Sequence, residues 1–329
     1  MIGVGIIANP ASGRDIRRLV AHGSVFDNHE KVSMVRRLVL GLAAVGVERV
    51  SIMPDAFGIG RKAVDGVQVD ADVSILPMPT TFSQVDSTLA AERMAEAGVG
   101  CIITLGGDGT NRAVAKACGQ VPVLPLSTGT NNVFPVMAES TVAGLAAGLV
   151  ARGLVPEAVR RAPRLDVALG DGTVDLALVD AAVYDEHFVG ARAVWDVAKI
   201  RQLVLTRAAP GAIGLSSIGA HLAPGLPPGW GLVLELGSGG PTVLAPVAPG
   251  VVTRVGVHQV RGLPPHEEVT LMPSSACVLA LDGEREVPLP AGQLLRLRLN
   301  PDGPRVVDVS CALAQASAAH LFREETPAH

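Results

Sequence analysis

Aromatic residues are scarce in this chain, whose 329 residues include six Phe, two Trp and one Tyr. So few rings offer little surface for stacking nucleic-acid bases, and a net charge of −4 provides no general attraction for phosphate backbones. Charged residues make up only 18% of the chain and hydrophobic residues 48%, so a largely disordered protein is also excluded. We therefore expect a folded protein that does not bind nucleic acid.

Cysteines are few and far apart. Cys101, Cys118, Cys277 and Cys311 form no CxxC pair and no Cys/His cluster, which is typical of buried thiols in a reducing compartment. The first residues lack a basic segment, and Pro10 ends their apolar run early, so we expect no signal peptide. Residues 208–234 lack charge but contain many Pro and Gly, which suits loops rather than a membrane span. The sequence predicts a soluble, cytoplasmic protein without membrane insertion.

The first part of the chain alternates between strand and helix patterns. Four short apolar runs have strand length, namely "IGVGIIANP", "RVSIMP", "DVSILPM" and "CIITLGG". Each precedes a segment with helical spacing, namely "HEKVSMVRRLVLGLAAVG", "IGRKAVDG", "SQVDSTLAAERMAEAG" and "TNRAVAKACG". Strands that are apolar throughout and separated by helices predict a parallel sheet covered on both faces.

The pattern changes at about residue 155, where short Val- and Leu-rich segments separated by Gly and Pro begin. "DGT" at 171–173 lies between two such segments and predicts a hairpin. A helical insertion is expected near 191–205, and the final segment reads as a strand and a helix that return to the first domain. We expect an α/β domain over 1–155, joined by about 305–329, and a mostly antiparallel β domain over 156–304.

The segment "CIITLGGDGTNRAVAKA" joins a strand to a helix through a glycine-rich turn. Such a turn points backbone N–H groups and a helix N-terminus at one spot, which favours an anion. Gly106, Gly107 and Gly109 leave room for close approach of a phosphate. The carboxylate of Asp108 would repel phosphate unless it binds Mg²⁺ or accepts a proton from an attacking hydroxyl. The alternative is an ordinary turn in which Asp108 caps the helix.

Four motifs in order resemble the NAD kinase and diacylglycerol kinase superfamily: "NPASG" at 9–13, "GGDGT" at 106–110, "PLSTGTNNVFP" at 125–135 and "LDGERE" at 281–286. Longer segments, including "STGTNNVFPVM" and "DEHFVGARAVWD", resemble the AcoX subgroup of acetoin catabolism. The resemblance implies an α/β domain followed by an all-β domain, with a nucleotide between them. It also implies ATP and Mg²⁺ as cofactors, a small-molecule hydroxyl acceptor such as NAD, and a homo-oligomer, either a dimer or a tetramer.

The same resemblance assigns roles to residues. Asp108 would be the general base or a metal ligand, and Asp282 and Glu284 would be further carboxylates at the reaction centre. The remaining polar and glycine positions of the motifs would bind the nucleotide: Asn9, Ser12, Gly13, Gly106, Gly107, Gly109, Thr110, Asn111, Thr128, Gly129, Thr130, Asn131 and Asn132.

Two departures from the superfamily concern the acceptor. Asp180 and Ala181 stand where NAD kinases carry an Asn-Glu pair that holds the dinucleotide, so only Asp180 remains to bind an acceptor hydroxyl. Asn132 stands where lipid kinases have Asp. The leading interpretation is a phosphotransferase that passes a phosphoryl group from ATP to a hydroxyl. The alternative is a nucleotide- or dinucleotide-binding sensor or accessory protein of acetoin metabolism without turnover. The absence of a basic amphipathic stretch favours soluble acceptors over lipids.

Overall fold

The computed structural model describes residues 2–12, 22–24, 26–186 and 196–323, apart from the side chains of Arg285 and Glu286. Gly13, which the sequence assigns to nucleotide binding, lies outside the described residues. Within the described part of the chain no helix combines the length and apolarity needed to cross a membrane. The four cysteines are free thiols, three of them buried and Cys311 partly exposed.

The first sheet has seven strands. These are β1 (Gly3–Ala8), β2 (Arg49–Ile52), β3 (Asp72–Ile75), β4 (Cys101–Gly106), β5 (Val123–Ser127), β6 (Val159–Arg161) and β18 (Arg305–Val307). Their spatial order is β3-β2-β1-β4-β5-β18-β6. All neighbours are parallel except β18 and β6. The expected parallel sheet is confirmed, and the strand of the final segment joins it beside β5.

Helices cover both faces of this sheet. They are α1 (Asn28–Ala44), α2 (Ile59–Val64), α3 (Val85–Glu96), α4 (Asp108–Ala115), α5 (Ser140–Ala151) and α7 (Val309–Ala318). Asp27 caps α1 by accepting the backbone N–H of Glu30, the arrangement that an Asp three residues before a Glu favours. The helices α1, α5 and α7 pack into one buried apolar cluster, and α3 and α4 pack into another. Their apolar sides therefore bury the parallel sheet between two layers.

The second part of the chain forms two antiparallel sheets. The strands are β7 (Arg164–Leu169), β8 (Val174–Ala177), β9 (Asp180–Tyr184), β10 (Ile200–Leu205), β11 (Gly231–Leu236), β12 (Thr242–Ala248), β13 (Val251–Leu263), β14 (Glu268–Leu271), β15 (Cys277–Leu281), β16 (Glu284–Leu289) and β17 (Leu295–Asn300). One sheet has the order β12-β13-β11-β10-β9-β15-β16 and the other β14-β17-β7-β8. A shared cluster that includes Leu165, Leu279 and Leu297 joins the two sheets. A short helix, α6 (Ser216–Ala220), follows β10.

Two details of this part were predicted with different success. The hairpin at 171–173 is confirmed, because β7 and β8 pair antiparallel with Leu165 opposite Ala177. The helical insertion near 191–205 is wrong over its second half. Residues 197–199 form a single 3₁₀ turn and β10 lies between β9 and β11, with Leu203, Val204 and Leu205 all buried. Burial on both sides of a central strand outweighs a helix-like spacing. Residues 191–195 lie outside the described residues.

Candidate active site

The predicted motifs meet at the carboxyl edge of the parallel sheet. "NPAS" follows β1, the glycine turn follows β4 and the "STGTNN" segment follows β5. These three strands are neighbours in the sheet, so the loops that leave them are neighbours too. In sheets of this type the crevice outside the carboxyl ends of the strands is the usual ligand site.

Hydrogen bonds tie the three loops to each other. The Asn9 amide Nδ2 donates to Thr110 Oγ1 at 2.9 Å, which links the first loop to the glycine turn. Ser12 Oγ and Thr128 Oγ1 lie 3.0 Å apart, which links the first loop to the third. The first loop is held from below by the buried Lys31, whose ammonium donates to the Asn9 and Ser12 carbonyl oxygens at 2.9 Å each. The motifs therefore form one connected polar surface.

Asp108 begins α4, and its carboxylate faces Val133 and Phe134, which directly follow the "STGTNN" segment. The backbone N–H of Phe134 donates to Oδ1 at 2.7 Å, and the N–H of Val133 lies 3.1 Å from both oxygens. The carboxylate is therefore oriented by a neighbouring loop and does not cap its own helix, for which Gly107 is the N-cap residue. This argues against the interpretation of Asp108 as a local cap.

Gly107 and Gly109 are required by close approach of other side chains. A Cβ on Gly107 would lie 2.7 Å from Asn132 Oδ1, and one on Gly109 would lie 2.9 Å from Glu284 Oε1. Any residue larger than glycine must displace these two groups. The turn is thus shaped by contacts within the protein, and it brings Asn132 and Glu284 to the start of α4.

The other polar residues of the motifs mainly support the loops. Asn111 is buried, and its amide accepts from Thr104 Oγ1 at 2.6 Å and donates to the Gly107 carbonyl at 2.9 Å. Asn132 Nδ2 donates to Ser127 Oγ at 2.8 Å and to the Gly129 carbonyl. The two asparagines therefore fix the shape of the turn and of the loop beside it. Two further hydrogen bonds support the same loops. The Thr128 N–H donates to the Gly106 carbonyl, and the Ser24 N–H donates to Thr130 Oγ1. Asn131 is half-buried in the same loop.

Asp282 lies in the interior. It and Gly283 form the turn between β15 and β16, with φ of 52° and 74°, as expected for an Asp-Gly turn of type I′. Its carboxylate accepts backbone N–H groups of Leu178 at 2.9 Å and Val179 at 2.8 Å. Its side chain is closed to solvent. Asp282 therefore occupies a buried position that ties a hairpin to the β8–β9 connection, and its expected place at the reaction centre stays a prediction.

The charge of Asp282 is balanced from the first domain. Arg112, one turn after Asp108 on α4, places Nε 3.7 Å from Asp282 Oδ2, and its side chain is 1% exposed. Burial raises the pKa of the Asp282 carboxyl to about 7, although the nearby guanidinium lowers it. The negative charge of Asp108 adds to the increase. This ion pair connects the helix of the glycine turn directly to the β sheets.

Asp180, the expected acceptor residue, belongs to the same buried cluster. It is 4% exposed, its carboxylate accepts the Gly283 N–H at 3.2 Å, and its backbone carbonyl accepts the Asp282 N–H at 2.9 Å. Ala181 beside it is also buried. The structure thus uses Asp180 to close the β15–β16 turn, and the expected contact of Asp180 with an acceptor hydroxyl stays a prediction.

Three basic residues of the site were missed in the sequence. Lys31 supports the first loop, Arg112 pairs with Asp282, and Arg207 follows β10 with its guanidinium 5.6 Å from the centre of the Phe134 ring. Each is a single basic residue beside an apolar segment, a signal too common to select them. Only Arg112 had a usable cue, because it stands four positions after Asp108 and so on the same face of the helix.

The donor set at the glycine turn fits a magnesium–nucleotide complex better than a metal held by protein alone. Among the described residues no group of three or more His, Cys, Asp or Glu side chains is arranged to hold a metal ion. Mg²⁺ usually takes one or two carboxylates together with substrate phosphates and water. Asp108, at the start of α4 and beside the polar loops, is a carboxylate of this kind.

Comparison with known proteins gives matches over both parts of the chain. The family model of the ATP-NAD kinase N-terminal domain matches residues 4–154, and that of the acetoin catabolism protein X C-terminal domain matches residues 163–302. Acetoin catabolism protein X of Cupriavidus necator is 42% identical over 339 residues, covering 97% of this chain and 94% of that protein. A diacylglycerol kinase structure from Bacillus anthracis str. Sterne is 15% identical, with a TM-score of 0.47, covering 93% and 96% of the two chains.

Proposed function

The chain belongs to the family of acetoin catabolism protein X, and we propose that it is a phosphotransferase. Its substrates would be ATP and an alcohol, and its product a phosphate ester linked to acetoin catabolism. The NAD kinase-like first domain supports this proposal at the level of a kinase-like role. The acceptor is proposed as a soluble hydroxyl compound.

The observation that carries the proposal is the orientation of Asp108. Its carboxylate is fixed by the N–H groups of Val133 and Phe134, at the point where β4 turns into α4. A carboxylate that only ended a helix would need no such support from a different loop. Fixed orientation is what a proton acceptor or metal ligand needs, because phosphoryl transfer depends mainly on positioning and on charge neutralisation.

The proposed step transfers one phosphoryl group. The acceptor oxygen forms a bond to the γ-phosphorus of ATP, the bond between that phosphorus and the β,γ-bridging oxygen breaks, and ADP leaves. The hydroxyl proton passes to Asp108. The first-turn N–H groups of α4 and the hydroxyls of Thr110, Ser12 and Thr128 surround the place where the phosphates would lie. Mg²⁺, when bound with the nucleotide at Asp108, would neutralise phosphate charge.

The positions of Asp180 and Asp282 bear on the acceptor. Both carboxylates are buried and bonded to backbone N–H groups, so neither supports binding of a dinucleotide ribose. This observation favours an acceptor other than NAD. It also supports the second candidate, a nucleotide-binding sensor without turnover, because the acceptor side lacks the expected pair. The homo-oligomer implied by the resemblance stays a prediction.

The test is ADP release from MgATP over a panel of small alcohols, acetoin and NAD, with the full chain. We expect acceptor-dependent ADP formation, and we expect Asp108→Asn to lower the rate by at least about 100-fold, as for loss of a general base. Asp302→Asn, a substitution at an exposed carboxylate far along the chain, is the matched control. Binding of ATP without acceptor-dependent ADP release from any compound would favour the sensor. Full activity of Asp108→Asn would refute the proposed role of this residue.

A further inference from the structure

The backbone position of Arg207 is fixed by its neighbour in the chain. It follows Thr206, whose hydroxyl donates to the Leu178 and Val179 carbonyl oxygens at 3.0 and 3.1 Å. The N–H groups of the same two residues hold Asp282. The backbone of Arg207 is therefore anchored to the connection that anchors Asp282.

The guanidinium of Arg207 lies over the ring of Phe134. It lies 5.6 Å from the centre of the Phe134 ring, and the backbone N–H of Phe134 orients Asp108. Burial lowers the pKa of the Arg207 guanidinium, and the negative charges of Asp108 and Asp282 partly offset this by raising it. Arg207 is thus a partly buried cation within electrostatic range of the Asp108 and Asp282 carboxylates.

Two nitrogen atoms of Arg207 make no hydrogen bond. Nε and Nη2 are buried, and neither has a partner in the part of the chain that the structure describes. These two nitrogens form the edge of a guanidinium that binds a carboxylate or a phosphate through two parallel hydrogen bonds. Buried donors without acceptors are destabilising, so a native protein rarely keeps a pair of them on one edge without a use.

We propose that Arg207 binds an oxyanion, phosphate or carboxylate, and holds it beside Asp108. The proposal rests on the phosphotransferase function proposed above for the identity of the ligand. The oxyanion has two possible sources, the γ-phosphoryl group of ATP or an acidic group on the acceptor. Since Nε and Nη2 are closed to solvent, the atoms that cover them must move before an oxyanion reaches them. A bound oxyanion then satisfies both donors.

The competing explanation is a purely structural cation that balances Asp108 and Asp282. That role needs positive charge and a cation–π contact with Phe134, and a lysine supplies both. It does not need the two-nitrogen edge, which only arginine has. Arg207→Lys and Arg207→Gln therefore separate the two explanations, with Arg296→Gln as the control because Arg296 is exposed and pairs with Glu268 on the β sheet.

The experiment measures dissociation constants by isothermal titration calorimetry with the full chain and Mg²⁺. One arm compares ATP with ADP, and the other compares glycerol 3-phosphate and glycerate with glycerol. Loss of a bidentate, charge-assisted contact is expected to weaken binding about tenfold or more. If Arg207 binds the γ-phosphoryl, both variants lose the preference for ATP over ADP. If it binds the acceptor, both lose the preference for the acidic three-carbon ligands over glycerol. Arg296→Gln behaves as the wild type in both arms.

Two results would overturn the proposal. One is a change of less than about threefold in both arms for Arg207→Lys and for any folded Arg207→Gln protein. The other is a wild-type protein that prefers neither ATP over ADP nor the acidic ligands over glycerol. Binding needs no turnover, so these results are independent of the ADP-release assay. A protein that binds the oxyanion through Arg207 but releases no ADP would contradict the phosphotransferase function alone.

Discussion

Arg112 and Asp282 form a buried ion pair, with 3.7 Å between Nε and Oδ2, that joins the helix of the glycine turn to a hairpin of the β sheets. The carboxylate of Asp282 also holds the backbone between β8 and β9. One pair of side chains thus fixes α4, and with it Asp108, relative to the segment that leads to Arg207. The relationship makes the geometry of the site depend on charges that no substrate touches.

Removal of the arginine should therefore destabilise the protein. Arg112→Met leaves Asp282 buried without its partner, but a carboxyl with a pKa of about 7 can take up a proton, so we expect the free energy of unfolding to fall by about 1–3 kcal/mol. The measurement is urea denaturation at pH 7.5. Lys116→Gln is the control on the same helix, because Lys116 pairs with Asp175 at a partly exposed position and its loss should cost about 1 kcal/mol or less. Equal effects of the two substitutions would contradict the importance of the buried pair.

The same carboxyl predicts a dependence of stability on pH. The pKa of Asp282 is about 7 in the folded protein against an ordinary value of 3.8, so the folded state keeps a proton that the unfolded chain has lost. Stability from this group is complete below pH 4 and is lost as the pH rises to 7. Asp282→Asn removes this dependence. The free energy of unfolding of the variant, minus that of the wild type, should rise by about 1.4 kcal/mol per pH unit between pH 5 and 7. A difference that stays constant over this range would contradict the raised pKa.

The sequence predicts the first domain well where local patterns decide, and fails where they conflict. The segments that form β1, β2, β3 and β4 are apolar runs bounded by Gly or Pro, so their strand character is evident from the sequence. The sequence does not predict β5, because a proline argues against a central strand and Pro125 lies in the centre of β5, opposite Thr104 of β4. The proline is tolerated because β18 pairs with β5 only at Val123, so no described strand beyond β5 needs an N–H from Pro125, and the Pro125 carbonyl accepts the Val136 N–H.

The residues of the site also fall into two groups, those that local sequence patterns predict and those that they do not. The motifs after β1, β4 and β5 are predictable because the carboxyl ends of parallel neighbours share one edge. The buried position of Asp282 was not predictable, because it depends on which backbone N–H groups a hairpin meets after folding. Arg207 escaped for the same reason, since its neighbours Phe134 and Asp108 lie far away in the sequence. Local patterns carry no information about such partners.

Lys31 provides a test of the support beneath the first loop. Its ammonium donates to the Asn9 and Ser12 carbonyl oxygens, and its side chain is 1% exposed. Lys31→Met keeps the volume but removes the charged donor from these two part-buried carbonyls, of which, among the described residues, only that of Asn9 still accepts from Ser12 Oγ, so we expect a loss of about 1–3 kcal/mol in the free energy of unfolding. The displaced loop should also bind ATP several-fold more weakly. Arg37→Met on the same helix removes two half-exposed ion pairs, with Glu30 and Glu139, and should change neither quantity much. Unchanged ATP affinity in a destabilised Lys31→Met protein would show that Lys31 stabilises the fold but does not shape the loop for ATP binding.

Gly109→Ala tests whether Glu284 acts at the glycine turn. The new methyl would lie 2.9 Å from Glu284 Oε1, so the carboxylate must move away from the start of α4. Stability should change by less than about 1 kcal/mol, because alanine favours a helix and the group displaced is the end of a flexible side chain. The rate of acceptor-dependent ADP release should fall at least about tenfold if this carboxylate supports transfer. The rate of Glu284→Gln should fall by a similar factor. Gly225→Ala, where the methyl meets open space, should leave both stability and rate unchanged. Full activity of Gly109→Ala together with low activity of Glu284→Gln would show that Glu284 acts from a position other than the one beside Gly109.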